Sequence, residues 1–279
     1  AYLNTIDESD PAHLFIAVAA PINNDRLVLT NNHWDFSQQA IAQALNTKVT
    51  FINDFEALSL SLNHLADSET IEIGTHQAPL QQLHNTLPKV VIGTGTGFGS
   101  AMSLSTESGT ISVPSEAGHA LYSPQDAEET KILEIAIKTY GRPVIVEDLL
   151  GCKVGIPKLI SIMAQMDNII PTFNATPEAL LDAALEASDP FAIRVLNRYC
   201  AMLGNVASNI ALTTGAFGGV YIGGGFAPRF NEFLLASNFR KAFLNKSSVN
   251  EILSHIPTYL ITHPYATLVG LQQILHRYL

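Results

Sequence analysis

Two uninterrupted apolar runs of strand length, Leu14-Phe15-Ile16-Ala17-Val18-Ala19 and Val90-Val91-Ile92, limit the architectures open to this chain. Neither alternates with polar residues, so each reads as a strand covered on both faces. Helical patterns fall between the strands. Ser37 is placed to cap a helix through Leu45, and Asp54 to Leu65 has helical spacing at Leu58, Leu62 and Leu65. Glu128 to Tyr140 reads as a helix closed by Gly141, and Thr176-Pro177 and Asp189-Pro190 are helix starts. The second start opens a long helix with Ile193, Leu196, Cys200, Leu203, Ala207 and Ile210 along one core stripe. Asn23-Asn24-Asp25 is a turn signal, followed by an alternating strand over 26–30; further strands are expected at Val49–Ile52, Gly219–Ile222 and Tyr259–Ile261. A last helix runs from Ala266 to Leu279, and Ala1 to Ile6 reads like the end of a helix whose beginning is absent. Between Leu65 and Leu87 polar residues and short helical hints mix without a clear element. Strands alternating with helices require an α/β fold with a parallel or mixed sheet.

The chain has 279 residues, 47% of them hydrophobic, enough for one large domain or two moderate ones. Its formal charge of −10 lacks the basic footprint that nucleic acid needs. Cys152 and Cys200 lie far apart without metal-type spacing, which disfavours a zinc site or a disulfide framework. No apolar stretch approaches the ~18 residues of a membrane span, and the start does not read as a signal peptide. A soluble cytosolic protein is expected.

Four short motifs and one isolated acid carry candidate chemistry. Gly93-Thr94-Gly95-Thr96-Gly97-Phe98-Gly99 follows a strand, and its glycines let backbone N–H groups approach an anion. It lacks both the Gly-x-Gly-x-x-Gly spacing of dinucleotide sites and the Gly-Lys ending of a Walker loop. The plainer alternative is a ligand-free glycine hairpin. Asn53-Asp54 sits where a strand gives way to a helix, a place for a general base, although an N-cap role suits Asp54 equally. Glu116 and His119 flank a glycine and are able to grip vicinal sugar hydroxyls; each alone reads as an ordinary polar residue. Glu147 alone reads as an acid at a helix start. Gly223-Gly224-Gly225 ends a strand in a side-chain-free surface suited to a planar base, or to a close strand–helix crossing. Trp34 and Phe36 are assigned to core packing.

The order of these motifs decides among the readings. Thr30-Asn31-Asn32-His33-Trp34-Asp35-Phe36, Asn53-Asp54-Phe55, the 93–99 loop, Glu116-x-x-His119, Glu147 and the 217–230 stretch ending Ala227-Pro228-Arg229-Phe230 together closely resemble the bacterial ATP-dependent glucokinases. The resemblance runs from Phe15 to the terminal helix. It implies the two-lobed hexokinase/actin-like ATPase (ribonuclease H-like) fold, with residues 1–65 plus 262–279 in a small lobe and 66–261 in a large one. It also implies Asp54 as catalytic base for the glucose 6-hydroxyl, and Asn53, Glu116, His119 and Glu147 as sugar-binding residues. Gly95, Thr96 and Gly97 fall in the family's second phosphate motif, and Gly223, Gly224 and Gly225 in its adenosine motif. The implied partners are glucose, ATP with Mg²⁺ and a second copy in a homodimer; no residue is assigned as a metal ligand. The family opens with a hairpin carrying Asp-x-Gly-Gly-Thr, and that sequence occurs nowhere in these 279 residues. On this reading the small lobe is incomplete at its start and the chain has little or no activity. A kinase for another hexose and a non-enzymatic sugar-binding regulator of the same fold are the alternatives. A nicotinamide dehydrogenase is disfavoured by the loop spacing.

Overall fold

The computed structural model describes residues 12–20, 22, 25–28, 35–78 and 86–275. The expected helix end at Ala1–Ile6, Asn23 and Asn24 of the turn, the Thr30–Trp34 part of the first motif, the Trp34 anchor and the last helix beyond Leu275 lie outside the described residues.

Strands β1 (His13–Val18), β2 (Arg26–Val28), β3 (Asp35–Ser37) and β4 (Lys48–Asn53) come first, with helix α1 (Gln38–Leu45) before β4. β1 lies parallel to β4, and β2 antiparallel to β3. Ser37 caps α1 as expected, accepting from the Ala40 N–H at 3.0 Å. Helix α2 (Asp54–Ser61) follows β4 directly. It stops before Leu65; Leu62 to His64 form a turn, and Asn63 turns its amide to Ser105 and accepts from Lys89 Nζ at 2.7 Å.

Six strands form the main sheet: β5 (Thr70–Glu72), β6 (Lys89–Thr94), β7 (Phe98–Thr106), β8 (Gly109–Ser115), β9 (Gly219–Gly223) and β10 (Thr258–Ile261). Their order is β5-β10-β9-β6-β7-β8, with β10, β9 and β6 mutually parallel and the outer strands antiparallel. The sheet is therefore mixed, as expected, although β5, β7 and β8 carry no continuous apolar run to announce them. Helices α3 (Ala127–Tyr140), α4 (Val146–Leu150), α5 (Gly155–Asp167), α6 (Pro177–Leu181) and α7 (Pro190–Thr214) occupy the long connection between β8 and β9. Three short helices, α8 (Asn231–Ala236), α9 (Phe239–Leu244) and α10 (Asn250–Ser254), precede β10, and α11 (Ala266–Leu275) follows it.

Both faces of the sheet are covered. Val90, Ile92, Val220, Ile222 and Leu260 pack against the helices between β8 and β10. Val91, Ala101, Tyr221 and Ile261 pack against Leu58 of α2 and Leu62 just beyond its end. The opposite side of α2 presents Ala57 and Leu60 to Leu271 and Ile274 of α11, with Phe15 and Ala17 alongside. Gly270 allows this helix crossing, because a Cβ there would fall on the Ala57 carbonyl oxygen. Helix α2 is thus shared between the β1–β4 pair and the main sheet. The expected stripe of α7 is buried from Leu196 to Ile210, whereas Ile193 is exposed, one turn from the helix start where the stripe runs off the core.

Candidate active site

Strand β4 ends at Asn53 and α2 starts at Asp54 without an intervening loop. Asn53 is the cap: its Oδ1 accepts from the N–H groups of Phe55 at 2.9 Å and Glu56 at 3.2 Å. The capping role weighed for Asp54 therefore belongs to its neighbour, which leaves Asp54 in the first helical position. Burial pushes the Asp54 carboxyl above the ordinary carboxylate range, and the Phe55 N–H, 2.9 Å from Oδ1, pulls it part of the way back. A half-buried carboxylate at a strand end, its pKa raised by burial, is chemically able to serve as a general base.

Phe55, named by the sequence only as part of a motif, keys this turn to the glycine loop. Gly93 and Gly99 are paired across β6 and β7 at the two shoulders of the loop. A Cβ at Gly93 would come 2.9 Å from Phe55 Cζ, and one at Gly99 would clash with Phe55 Cδ2 and Cε2. The two glycines are what allow the aromatic ring to approach the hairpin closely. The loop itself is a hairpin turn, in which Gly95 donates to the Gly97 carbonyl at 3.1 Å. Gly95 is exposed with open space beside it, and Thr96 and Gly97 are half-buried. The hairpin anticipated as the ligand-free alternative is thus real, and a hairpin turn with open backbone remains able to receive an anion.

The second glycine turn lies beside the first. Gly93 and Gly223 are partners in the parallel β6–β9 ladder, and Gly224, at φ +88°, turns so that its α-carbon faces the Thr94 carbonyl. Gly225 has open space beside it. Two neighbouring parallel strands therefore deliver glycine turns at their carboxyl ends, where α/β sheets present their ligands.

Glu116 precedes a short 3-10 turn, Ala117–His119, and its Oε2 lies 2.9 Å from His119 Nδ1, with both side chains exposed. The segment is pinned to the start of α4: Tyr122 N donates to Val144 O at 3.0 Å and Val146 N to Ala120 O at 2.9 Å. Glu147, in the first turn of α4, accepts the Phe98 N–H on Oε2 at 2.9 Å. The Phe98 carbonyl, in turn, lies against Gly118, where a Cβ would overlap it. The Glu147 carboxylate and the Gly118 backbone thus meet at one residue of the glycine hairpin, with Glu116 and His119 in the chain on either side of Gly118. Asp148 fixes α4 through Arg142, Lys158 and the Ile145 N–H. Sequence reasoning passed over Phe55, Phe98 and Asp148; the paired glycines at 93 and 99 were the available signal for the first, and nothing local pointed to the others. Among the described residues no group of three or more His, Cys, Asp or Glu side chains converges as a metal site.

Comparison with known proteins bears on this arrangement. The family model for glucokinases matches residues 1–278. The chain belongs to the glucokinase family. The glucokinase of Marinobacter nauticus is 35% identical over 276 residues, covering 98% of this chain and 83% of the relative. The crystal structure of a glucokinase from an Antarctic psychrotroph superposes with a TM-score of 0.84 at 29% identity, covering 99% of this chain and 84% of that one. A glucokinase of the ROK family from Streptomyces griseus, solved with glucose and AMPPNP, shares the fold at 17% identity and a TM-score of 0.56, covering 84% and 70% of the two chains. The architecture is α/β with a mixed sheet, the hexokinase/actin-like ATPase fold, as the glucokinase resemblance implied.

Proposed function

We propose that the chain transfers the γ-phosphoryl group of ATP to the 6-hydroxyl of D-glucose, giving glucose 6-phosphate and ADP. Membership of the glucokinase family supports the activity, and one structural observation supports the residue roles: the residue after Asp54, Phe55, packs on a glycine hairpin that also meets Glu147 and the Gly118 backbone between Glu116 and His119. In this reading Asn53, Glu116, His119 and Glu147 hold sugar hydroxyls, and Asp54 accepts the 6-hydroxyl proton as the oxygen attacks phosphorus. The 95–97 turn directs backbone N–H groups at the phosphates, and Gly223 to Gly225 leave a flat surface for adenosine. Phosphoryl transfer depends mostly on positioning and charge stabilisation, so a rigid contact between the base and the phosphate hairpin is what the chemistry needs. ATP would be bound as its magnesium complex, whose metal would supply charge neutralisation at the phosphates; no described residue is assigned to it. Exclusion of water between two lobes limits hydrolysis of ATP.

The lobes are drawn as residues 1–65 with 262–279, and 66–261. The packing of α11 on α2 beside Phe15 and Ala17 supports returning the C-terminal helix to the first lobe. No helix among the described residues is long and apolar enough to cross a membrane. A cytoplasmic homodimer is the assembly taken over from the family. The test is a coupled assay for glucose 6-phosphate with ATP and purified chain, run beside other hexoses. Each hydroxyl left without its partner removes about 1–3 kcal/mol, so epimers are expected to lose about 5–150-fold in kcat/KM. Equal use of mannose and fructose refutes the assignment.

A further inference from the structure

Phe98 is the point at which the sugar-binding residues and the glycine hairpin touch. Its N–H is held by Glu147 Oε2 at 2.9 Å, and its carbonyl rests on Gly118, between Glu116 and His119. The contact has no slack. A Cβ on Gly97 would fall on the Glu147 carboxylate, and one on Gly151 would come 2.9 Å from the Glu147 carbonyl oxygen and 3.4 Å from the Gly97 α-carbon. Three elements, the hairpin turn, the start of α4 and the residue that ends it, meet here through backbone and one carboxylate.

We propose that Glu147 is a positioning residue that couples the sugar cage to the glycine hairpin, so that sugar and nucleotide each tighten the binding of the other. The proposal rests on the reading of cage and hairpin given above. A carboxylate has two oxygens that accept hydrogen bonds in different directions. With Oε2 committed to Phe98, Oε1 is the atom left for a sugar hydroxyl. A hydroxyl bound there fixes the carboxylate, and a fixed carboxylate fixes the Phe98 N–H and the adjoining Gly97, the last residue of the phosphate turn. The same path runs backwards: phosphates that order the hairpin set the carboxylate in place for the sugar. Close-packed contacts transmit such displacements instead of absorbing them. Coupling of this kind is reciprocal and ranges over about 5–150-fold in affinity.

The test is calorimetric titration of glucose with and without a saturating non-hydrolysable ATP analogue, on the wild-type chain, Glu147→Gln and Glu147→Ala. The wild type is expected to bind glucose at least about 5-fold more tightly with the analogue present. Glu147→Gln keeps an oxygen able to accept the Phe98 N–H, so it retains most of that ratio while binding glucose more weakly. Glu147→Ala has neither, and its ratio falls to about one. A wild-type ratio of one, or an unchanged ratio in Glu147→Ala, overturns the proposal; in the latter case Glu147 is a sugar ligand and nothing more. If Glu147→Ala fails to fold, Gly97→Ala decides, because its added methyl displaces the carboxylate from the hairpin: a retained ratio there rejects the coupling. Binding is read without turnover, so failure of the coupling is distinct from failure to form glucose 6-phosphate.

Discussion

Replacing Asp148 with asparagine tests how α4 holds Glu147 in place. The Asp148 side chain is only 5% exposed, accepts from Arg142 through both oxygens at 2.8 Å, and receives Lys158 at 2.6 Å and the Ile145 N–H at 3.2 Å. Burial by itself would raise its pKa; the guanidinium and ammonium outweigh it and hold the carboxyl at about 2 instead of 3.8. At 1.36 kcal/mol per unit, the gap amounts to about 2 kcal/mol of folding free energy. The folded pKa is depressed, so the unfolded chain binds more protons between the two values. The contribution is therefore complete above the unfolded pKa, about half gone by pH 3, and lost as pH falls through the folded value of about 2. Asp148→Asn is expected to lower the unfolding free energy by about 2 kcal/mol at pH 7, or Tm by roughly 4 °C. Urea melts at pH 7 and pH 3 with unchanged m-value are the assay, and KM for glucose should rise as Glu147 loosens. An equal loss at both pH values, or none at pH 7, refutes the electrostatic account.

Three further substitutions probe other links. Asp54→Asn should cut turnover by about 10²–10⁴-fold with glucose binding largely kept. Because burial raises the Asp54 pKa, the neutral amide should also stabilise the fold at pH 7, the gain fading as pH falls through that raised pKa; normal turnover would reduce Asp54 to a structural residue. Gly99→Ala drives a methyl into the Phe55 ring and should cost about 1–3 kcal/mol while raising KM for ATP, and wild-type melting with wild-type KM would show that the ring does not key the hairpin. Arg240 donates to the carbonyls of Thr75 at 3.1 Å, Ile256 at 2.9 Å and Ser254 at 3.3 Å, far from the site, so Arg240→Met should lower stability by about 2–4 kcal/mol in urea melts with kcat unaltered.

The parts of the fold legible in the sequence are those whose burial is uniform. Val90-Val91-Ile92 and Val220-Tyr221-Ile222 read as strands because each residue meets a core on one face or the other. β7 and β8 escape such reading because the residues they turn toward α2 include Ser105, Thr110 and Ser112, which answer Asn63 and Ser59 with hydroxyls instead of apolar surface. β5 is three residues long and is held by β10, a partner about two thirds of the chain away. In the site, the order of motifs was legible but the division of labour between Asn53 and Asp54 was not, since both residue types cap helices and only the phase of the chain entering α2 decides. The contacts through Phe55 and Phe98 join segments far apart in sequence, and no local pattern encodes them.

The β6–β9 ladder also sets a clock. It pairs Lys89 with Gly219, so the two glycine turns become neighbours only after roughly 130 further residues have been made. At about 5–20 residues per second, nascent β6 waits on the order of ten seconds for the strand beside it. Throughout that interval its Val90-Val91-Ile92 edge is open to any other strand. Nucleotide affinity should be the last property to return on refolding, after helical signal, and yield should fall steeply as chain concentration rises.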